Sequence, residues 1–288
     1  MLFRSDILNE AILSFEAMGS PTPRLDAEIL LALCLDCDRM EFLKNPGMSI
    51  SSAQLADFQV LVARRKRWEP VAYITGRKEF WDFSLEVSRD VLIPRPDTEI
   101  IVEEALDICR KTYLPELRIA DIGTGSGAIA LALAKELALS FIVATDISAA
   151  ALAQAKRNAR ALNLESRIDF RQGDLFEPVD GFFDMIISNP PYISVKDYEK
   201  LPDGVKAYEP SIALLAGETG LEFYEKLMHQ AADHLQKKGW LLLEIGATQH
   251  EDICAMIHQT GSYESIAVRA DYAGLPRVIK ARRKHWIK

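Results

Sequence analysis

The chain has 288 residues, 49% of them hydrophobic and 26% charged, the proportions of a protein with a packed core rather than a disordered one, and its length suits one main domain plus a smaller one. Its 34 Lys and Arg against 42 Asp and Glu give a net charge of -8, so no stable complex with nucleic acid is expected, because such binders gain affinity by neutralising phosphates. Cys34, Cys37, Cys109 and Cys254 are too few and too scattered for a disulfide framework, and neither a secretory leader nor an apolar run of about 18 residues occurs, which points to a cytoplasmic protein with no membrane partner.

From 5 to 68 the pattern is helical. Ile7, Leu8, Ala11, Ile12 and Phe15 recur at spacings of three and four, and similar stripes follow at 27–35 and 55–62. The stretch from Ser20 to Pro23 and the Asn45-Pro46-Gly47 turn punctuate these helices, and Ser51-Ser52 suits a cap for the last. Cys34-x-x-Cys37 sits in an apolar helical run without a second pair at ligand spacing, so it reads as core and no metal site is expected. The basic run Arg64-Arg65-Lys66-Arg67 reads as a solvated face that complements the dipole at a helix C-terminus. Together these elements predict a small helical bundle over 1–75.

Between Gly76 and Ile93 the period changes to two, with Phe83, Leu85 and Val87 alternating against polar neighbours, which predicts a strand pair within a β-hairpin linker over 76–97. Pro94-Arg95-Pro96-Asp97 stops the extended segment, and Thr98 is placed to cap a helix over 99–111. After Leu114-Pro115 strands are expected at 118–122, 141–145, 167–171 and 183–188, with helices at 128–137 and 149–161 between the first three. Further on come a helix at 221–235, a strand at 240–245, a helix at 251–259 and two terminal strands at 262–269 and 278–282. This alternation predicts an α/β domain over 98–288, a Rossmann-like, doubly wound and mainly parallel sheet of seven strands.

Chemistry concentrates at the expected carboxyl ends of those strands. Gly123-Thr124-Gly125-Ser126-Gly127 occupies the turn from the first strand into its helix, where glycines permit a sharp bend and close approach of a nucleotide-like ligand. Asp146 ends the next strand at the spacing of about 20 residues kept by an acid that binds ribose hydroxyls. Asp174 follows the third strand, where it could accept the adenine amino hydrogen while Leu175 or Phe176 covers the ring. Gly123-x-Gly125-x-x-Ala128 also satisfies the dinucleotide fingerprint, so the loop alone does not separate an adenosylmethionine site from an NAD site.

The segment Ser188-Asn189-Pro190-Pro191-Tyr192 ends the fourth strand. Two consecutive prolines fix two φ angles and hold the preceding carbonyls as rigid acceptors. The side-chain carbonyl of Asn189 and the backbone carbonyl of Pro190 can take both hydrogens of a planar NH2 group. Such a clamp suits methylation of an amide or aniline-type nitrogen, and Tyr192 could pack against the flat group. The motif follows a cofactor loop and a ribose acid, and the combination is specific.

With these residues the chain resembles the release factor glutamine methyltransferase family within the Rossmann-like amino-methyltransferases. The likeness rests on Gly76-Arg77-x-Glu79-Phe80-Trp81, the run from Val91 to Glu99, the run from Asp121 to Ala134, Asn189 to Ile193, Tyr208-Glu209-Pro210 and the run from Gly220 to Tyr224. The chain departs where family members more often carry Glu in place of Asp97, Gly in place of Asp82 and, in some, Trp in place of Leu175, which weakens stacking on adenine. The resemblance implies an S-adenosylmethionine donor leaving S-adenosylhomocysteine, a glutamine acceptor in the Gly-Gly-Gln motif of peptide chain release factors, and an N-terminal domain that helps dock the factor. A monomer is expected. Competing readings are an adenine amino-methyltransferase, for which the same Asn-Pro-Pro-Tyr segment would hold a flipped base, an NAD-dependent oxidoreductase, which leaves Asn189 to Tyr192 unexplained, and a silent module that only holds the release factor.

Overall fold

In a computed structural model the described residues are 4–45, 47–112 and 116–285. Pro46 and the Leu114-Pro115 pair, both expected to punctuate the chain, lie outside them. The chain forms two compact units, one running up to Arg77 and including Pro202–Tyr208, the other comprising Lys78–Leu201 and Glu209–Lys288.

The first unit is helical. It contains α1 (Arg4–Ala17), α2 (Pro23–Cys34), α3 (Arg39–Lys44), α4 (Ser52–Lys66) and α5 (Val71–Thr75). Of the stripe expected on α1, Ile7, Ala11, Ile12 and Phe15 are buried in a core shared with Leu30, Leu31, Phe42 and Phe58, and Leu8 is partly buried against it. Ser51 caps α4 through a capping box with Gln54, two orphan N–H groups being satisfied reciprocally. Cys34 and Cys37 are free thiols packed against that core, and burial pushes the Cys34 thiol up to about 11. The short helices α3 and α5 were not legible, being under two turns each, too short to show a 3.6-residue period.

The basic run departs from the expected solvated face. Arg65 is buried and its Nε donates to the buried Asp26 carboxylate at 2.9 Å, while Ser20 Oγ donates to the same carboxylate at 2.7 Å. A buried carboxylate on α2 needs a counter-charge, and α4 supplies it. Arg64 is also engaged, donating to both oxygens of Glu69 at 2.9 and 2.7 Å.

From Lys78 on, the second unit begins with the hairpin of β1 (Arg77–Phe80, its first residue still in the first unit) and β2 (Phe83–Glu86), in which Phe83 and Leu85 are buried and Ser84 and Glu86 exposed. Then come α6 (Glu99–Thr112), β3 (Arg118–Ile122), α7 (Ala128–Glu136), β4 (Phe141–Asp146), α8 (Ala149–Ala161), β5 (Ile168–Gln172) and β6 (Phe183–Ser188). After β7 (Ile193–Ser194) and α9 (Val195–Tyr198), the helix α10 (Asp203–Tyr208) belongs to the first unit, where Gly204 packs on the Trp68 carbonyl and Tyr208 Oη donates to the Arg67 carbonyl at 3.2 Å. The chain continues with β8 (Leu215–Gly217), α11 (Glu222–His234), β9 (Leu235–Glu244), α12 (His250–Gln259), β10 (Tyr263–Ala270) and β11 (Pro276–Arg283).

Seven strands form the central sheet in the order β10-β11-β9-β6-β3-β4-β5. The pairs from β9 to β5 are parallel, and β11 runs antiparallel to both β9 and β10. This is the mixed α/β, mostly parallel architecture expected. Its inner strands are buried along nearly their whole length, Ile119, Ala120, Ile142, Val143 and Ile186 among them, as a sheet covered on both faces requires. From β3 the chain steps outward through β4 to β5, then returns to lay β6 on the other side of β3. That reversal opens a crevice beyond the carboxyl ends of β3 and β6, where ligands of such sheets bind. The segment 193–217 carries β7, α9, α10 and β8 and was not assigned from the sequence, since elements of two to six residues leave no period to read.

Candidate active site

At the carboxyl edge of β3, β4, β5 and β6 lies a cavity of about 270 Å³. The loop between β3 and α7 forms its floor. Gly123, Gly125 and Gly127 all have positive φ, which L side chains rarely adopt. Gly123 and Gly125 line the cavity, and a Cβ at either would meet no protein atom, so the loop presents an open backbone face on which a ligand can rest. Gly127 instead caps α7 beneath the loop, where a Cβ would lie 3.1 Å from Leu131 and 3.2 Å from Ala155. Its role is close packing of α7 on α8. Thr124 and Ser126 also line the cavity. Thr124 Oγ1 donates to Asp121 Oδ2 at 2.7 Å, and the same oxygen accepts the Ala130 N–H at 3.2 Å. Asp121 is thus buried under the loop rather than facing it, and burial pushes its carboxyl up to about 7 despite those two hydrogen bonds.

Asp146 ends β4 beside the glycine loop and also lines the cavity. Its Oδ2 accepts the Gly125 N–H and its Oδ1 the Ser148 N–H, both at 2.9 Å. Each carboxylate oxygen keeps a further lone-pair direction, so the side chain can hold the loop and still accept ribose hydroxyls. Burial raises the pKa of Asp146, and the backbone N–H groups of Ser148, Gly125 and Ile147 oppose the shift. Asp174 and Leu175 follow β5 and line the cavity. Leu175 has φ +48 and its carbonyl accepts Thr145 Oγ1 at 3.2 Å. Phe176, considered as a cover for an adenine ring, is buried and stacks on His234, with ring centroids 5.0 Å apart. Leu175, unlike Phe176, lines the cavity.

Asn189, Pro190 and Pro191 line the cavity beyond β6. Asn189 Nδ2 donates to Thr98 Oγ1 at 3.3 Å. Thr98 therefore does not act as the helix cap expected: it ends a 3-10 turn that runs into α6, and its buried hydroxyl accepts from Asn189 and favours the ionised form of the Glu244 carboxylate. Tyr192 is not among the cavity-lining residues. Its ring packs against the core, and its carbonyl accepts Gln249 Nε2 at 3.1 Å, which pins the turn to the segment before α12. Desolvation, seconded by Glu244, raises its phenol pKa.

The sequence did not assign a cavity role to the stretch from Asp90 to Thr98. Asp90, Val91, Leu92, Pro94 and Arg95 form one wall, and Pro210, Ile212, Phe223 and Lys226 contribute another part of the lining. Buried Glu209 holds that wall, accepting from the Ile93 N–H at 3.2 Å and pairing with Arg95. Most of these residues lie in the motif blocks quoted above, but nothing in their spacing showed that the segment between β2 and α6 and the 210–226 segment would meet at one cleft.

The open glycine face, the carboxylate beside it and the lining residues Asp174 and Leu175 fit a nucleoside carrying a short charged tail. Residues 6–76 match the model of the PrmC N-terminal domain, and residues 104–201 match the model of the methyltransferase small domain. A release factor glutamine methyltransferase of Rhodopirellula baltica is 40% identical over 273 residues, covering 93% of this chain and 92% of that protein. One from Xylella fastidiosa is 43% identical over 260 residues, covering 90% and 93%. Among solved structures, a methyltransferase from Pyrococcus furiosus aligns with TM-score 0.53 and 20% identity over 80% of this chain and 100% of its own. The hMettl16 catalytic domain aligns with TM-score 0.57 and 16% identity over 82% and 83%. At such identities these two speak for the fold alone.

Proposed function

The chain belongs to the release factor glutamine methyltransferase family, and from that premise we propose that it transfers the methyl group of S-adenosylmethionine to the side-chain amide nitrogen of the glutamine in the Gly-Gly-Gln motif of peptide chain release factors. One observation carries the reading: the Asn189-Pro190-Pro191 turn lies on the same cavity as the open glycine face and Asp146. When bound, S-adenosylmethionine supplies an electrophilic methyl group on a sulfonium. Gly123, Gly125 and Asp146 hold the nucleoside end, with Asp174 and Leu175 at the base.

The chain's own residues then orient the acceptor. Asn189 Oδ1 and the Pro190 carbonyl take the two amide hydrogens and turn the nitrogen lone pair, otherwise delocalised into the carbonyl, toward the donor. Positioning and exclusion of water do most of the work in such an in-line displacement. No side chain is required as a general base, because the methylated amide can lose its extra proton after transfer. An adenine amine would fit the same clamp; membership of a family named for release factors decides for glutamine. The first unit, whose span matches the PrmC N-terminal domain, serves to dock the factor. Incubation with labelled S-adenosylmethionine and release factor, followed by peptide mapping, tests the proposal: label is expected on the glutamine of Gly-Gly-Gln. Label on DNA or tRNA with none on the factor overturns it.

A further inference from the structure

An asparagine side chain is nearly symmetric in shape but not in chemistry. With Oδ1 toward the cavity it accepts hydrogens from a substrate NH2; flipped, it presents two donors to another pair of donors and the clamp fails. Something must hold the correct end inward. Asn189 Nδ2 donates to Thr98 Oγ1 at 3.3 Å, and the same hydroxyl is the group that most favours the ionised carboxylate of Glu244, the last residue of β9. Glu244 is 1% exposed and its Oε2 has no partner among the described residues. We propose that Thr98 and Glu244 are positioning residues: together they form a hydrogen-bond relay that keeps the carbonyl end of Asn189, rather than its NH2 end, turned to the methyl-accepting amide. This inference rests on the reading of Asn189 as the substrate clamp.

The direction of the relay follows from counting protons. A threonine hydroxyl has one hydrogen, and an ionised carboxylate can only accept. The hydroxyl hydrogen therefore goes to Glu244, and the oxygen that remains can only accept, which selects the NH2 end of Asn189. Protonated Glu244 reverses the chain. Its own hydrogen can go to Thr98 Oγ1, which frees the hydroxyl hydrogen to seek Asn189 Oδ1 and turns the NH2 group into the cavity. The carboxyl of Glu244 is pushed up to about 7 by burial, so both states are reached near neutrality. The groups facing it are Arg277 on β11, Arg95 and Asp97 ahead of α6, Tyr192 after β6, and Tyr224 on α11, whose hydroxyl donates to the Glu244 backbone carbonyl at 2.9 Å. Arg277 favours the ionised form and is held in place by Asp97 at 3.0 Å and Asp271 at 3.1 Å.

The test uses the full chain with Thr98→Val, Thr98→Ser, Glu244→Gln and Asn189→Ala. Three quantities are read: the side-chain amide resonances of Asn189 in the free protein, the dissociation constant for S-adenosylmethionine, and single-turnover methyl transfer to release factor across pH. Thr98→Val is expected to shift the Asn189 amide resonances and slow transfer by roughly 10-fold to 100-fold, the scale for losing transition-state positioning, with cofactor affinity changed less than about twofold. Thr98→Ser should restore both. Wild-type transfer should rise with pH as Glu244 ionises, and Glu244→Gln, which does not titrate, should flatten that rise. Unmoved Asn189 resonances and wild-type transfer in Thr98→Val, with Asn189→Ala impaired, overturn the relay alone. Wild-type transfer by Asn189→Ala overturns the clamp itself and the relay with it.

Discussion

The Asp146 carboxylate accepts the Gly125 N–H at 2.9 Å with one oxygen and the Ser148 N–H at 2.9 Å with the other, so one side chain closes β4 and fixes the glycine loop that faces it. Asp146→Ala removes both the loop's anchor and the proposed acceptor for ribose hydroxyls. Cofactor binding should weaken by about 1.5 to 3 kcal/mol, the scale of a hydrogen bond to a charged group. Calorimetric titration measures this, with circular dichroism to verify the fold. An unchanged dissociation constant in a folded variant would remove Asp146 from the cofactor site.

The same loop satisfies a dinucleotide fingerprint, yet the cavity differs beyond it. Besides the glycines it is lined by the Asn189-Pro190-Pro191 turn, Leu92 and Pro94, and an Asn-Pro-Pro turn has no part in a dinucleotide fingerprint. Titration with S-adenosylmethionine, S-adenosylhomocysteine and NAD is expected to give heat with the first two and no comparable affinity for the third. Tight NAD binding without a response to S-adenosylmethionine would contradict the cofactor assignment.

Asp121 makes a pH prediction. Its carboxyl is pushed up to about 7 by burial, against about 4 in an unfolded chain. Between those values the folded state binds more protons than the unfolded one, so this group's contribution to stability is present at low pH and is lost as pH rises toward 7. Asp121→Asn removes the titration. The variant's stability relative to wild type, read from urea unfolding, should therefore increase from about pH 4 to pH 7 and then level off. Parallel profiles would show that Asp121 does not titrate as its surroundings imply.

The sheet was legible because its strands are long, apolar and separated by helices of ordinary length. Strands β3 and β6 and helix α8 fall on the expected residues, and most other boundaries differ by only a residue or two. The start of β9 is the main exception. It begins at Leu235 rather than 240, because polar Gln236, Lys237 and Lys238 are carried in a bulged start whose register against β6 shifts between Phe183 and Met185. In the site, the residues at strand ends could be read since topology alone brings them to one edge. The wall from Asp90 to Thr98 could not, since its place depends on Glu209, which lies 116 residues from its partner Ile93. Thr98 was misread for the same reason: Thr before a helical run ordinarily caps it, and only the fold brings Asn189 and Glu244 to its hydroxyl.

Arg65 and Asp26 offer a test in the helical unit. Their buried pair, at 2.9 Å with Ser20 completing it, is the element that departed from the solvated basic face. Asp26→Ala leaves a buried guanidinium without its carboxylate, a change that costs roughly 3 to 5 kcal/mol. Chemical denaturation should show a loss of that size, whereas Lys66→Ala, at an exposed position on the same helix, should change stability by less than about 0.5 kcal/mol. Equal small effects would mean that the pair contributes no more than a surface one.

The central claim is that Asn189 clamps the glutamine amide, and single-turnover methyl transfer to release factor tests it most directly. Asn189→Ala removes an acceptor used chiefly in the transition state, so transfer should slow by a factor on the order of 100 or more while affinity for S-adenosylmethionine changes much less. Asn189→Asp keeps an acceptor in place and should retain part of the rate. Transfer by Asn189→Ala at nearly the wild-type rate, with label still on the Gly-Gly-Gln glutamine, would contradict the account and place the chemistry on other residues.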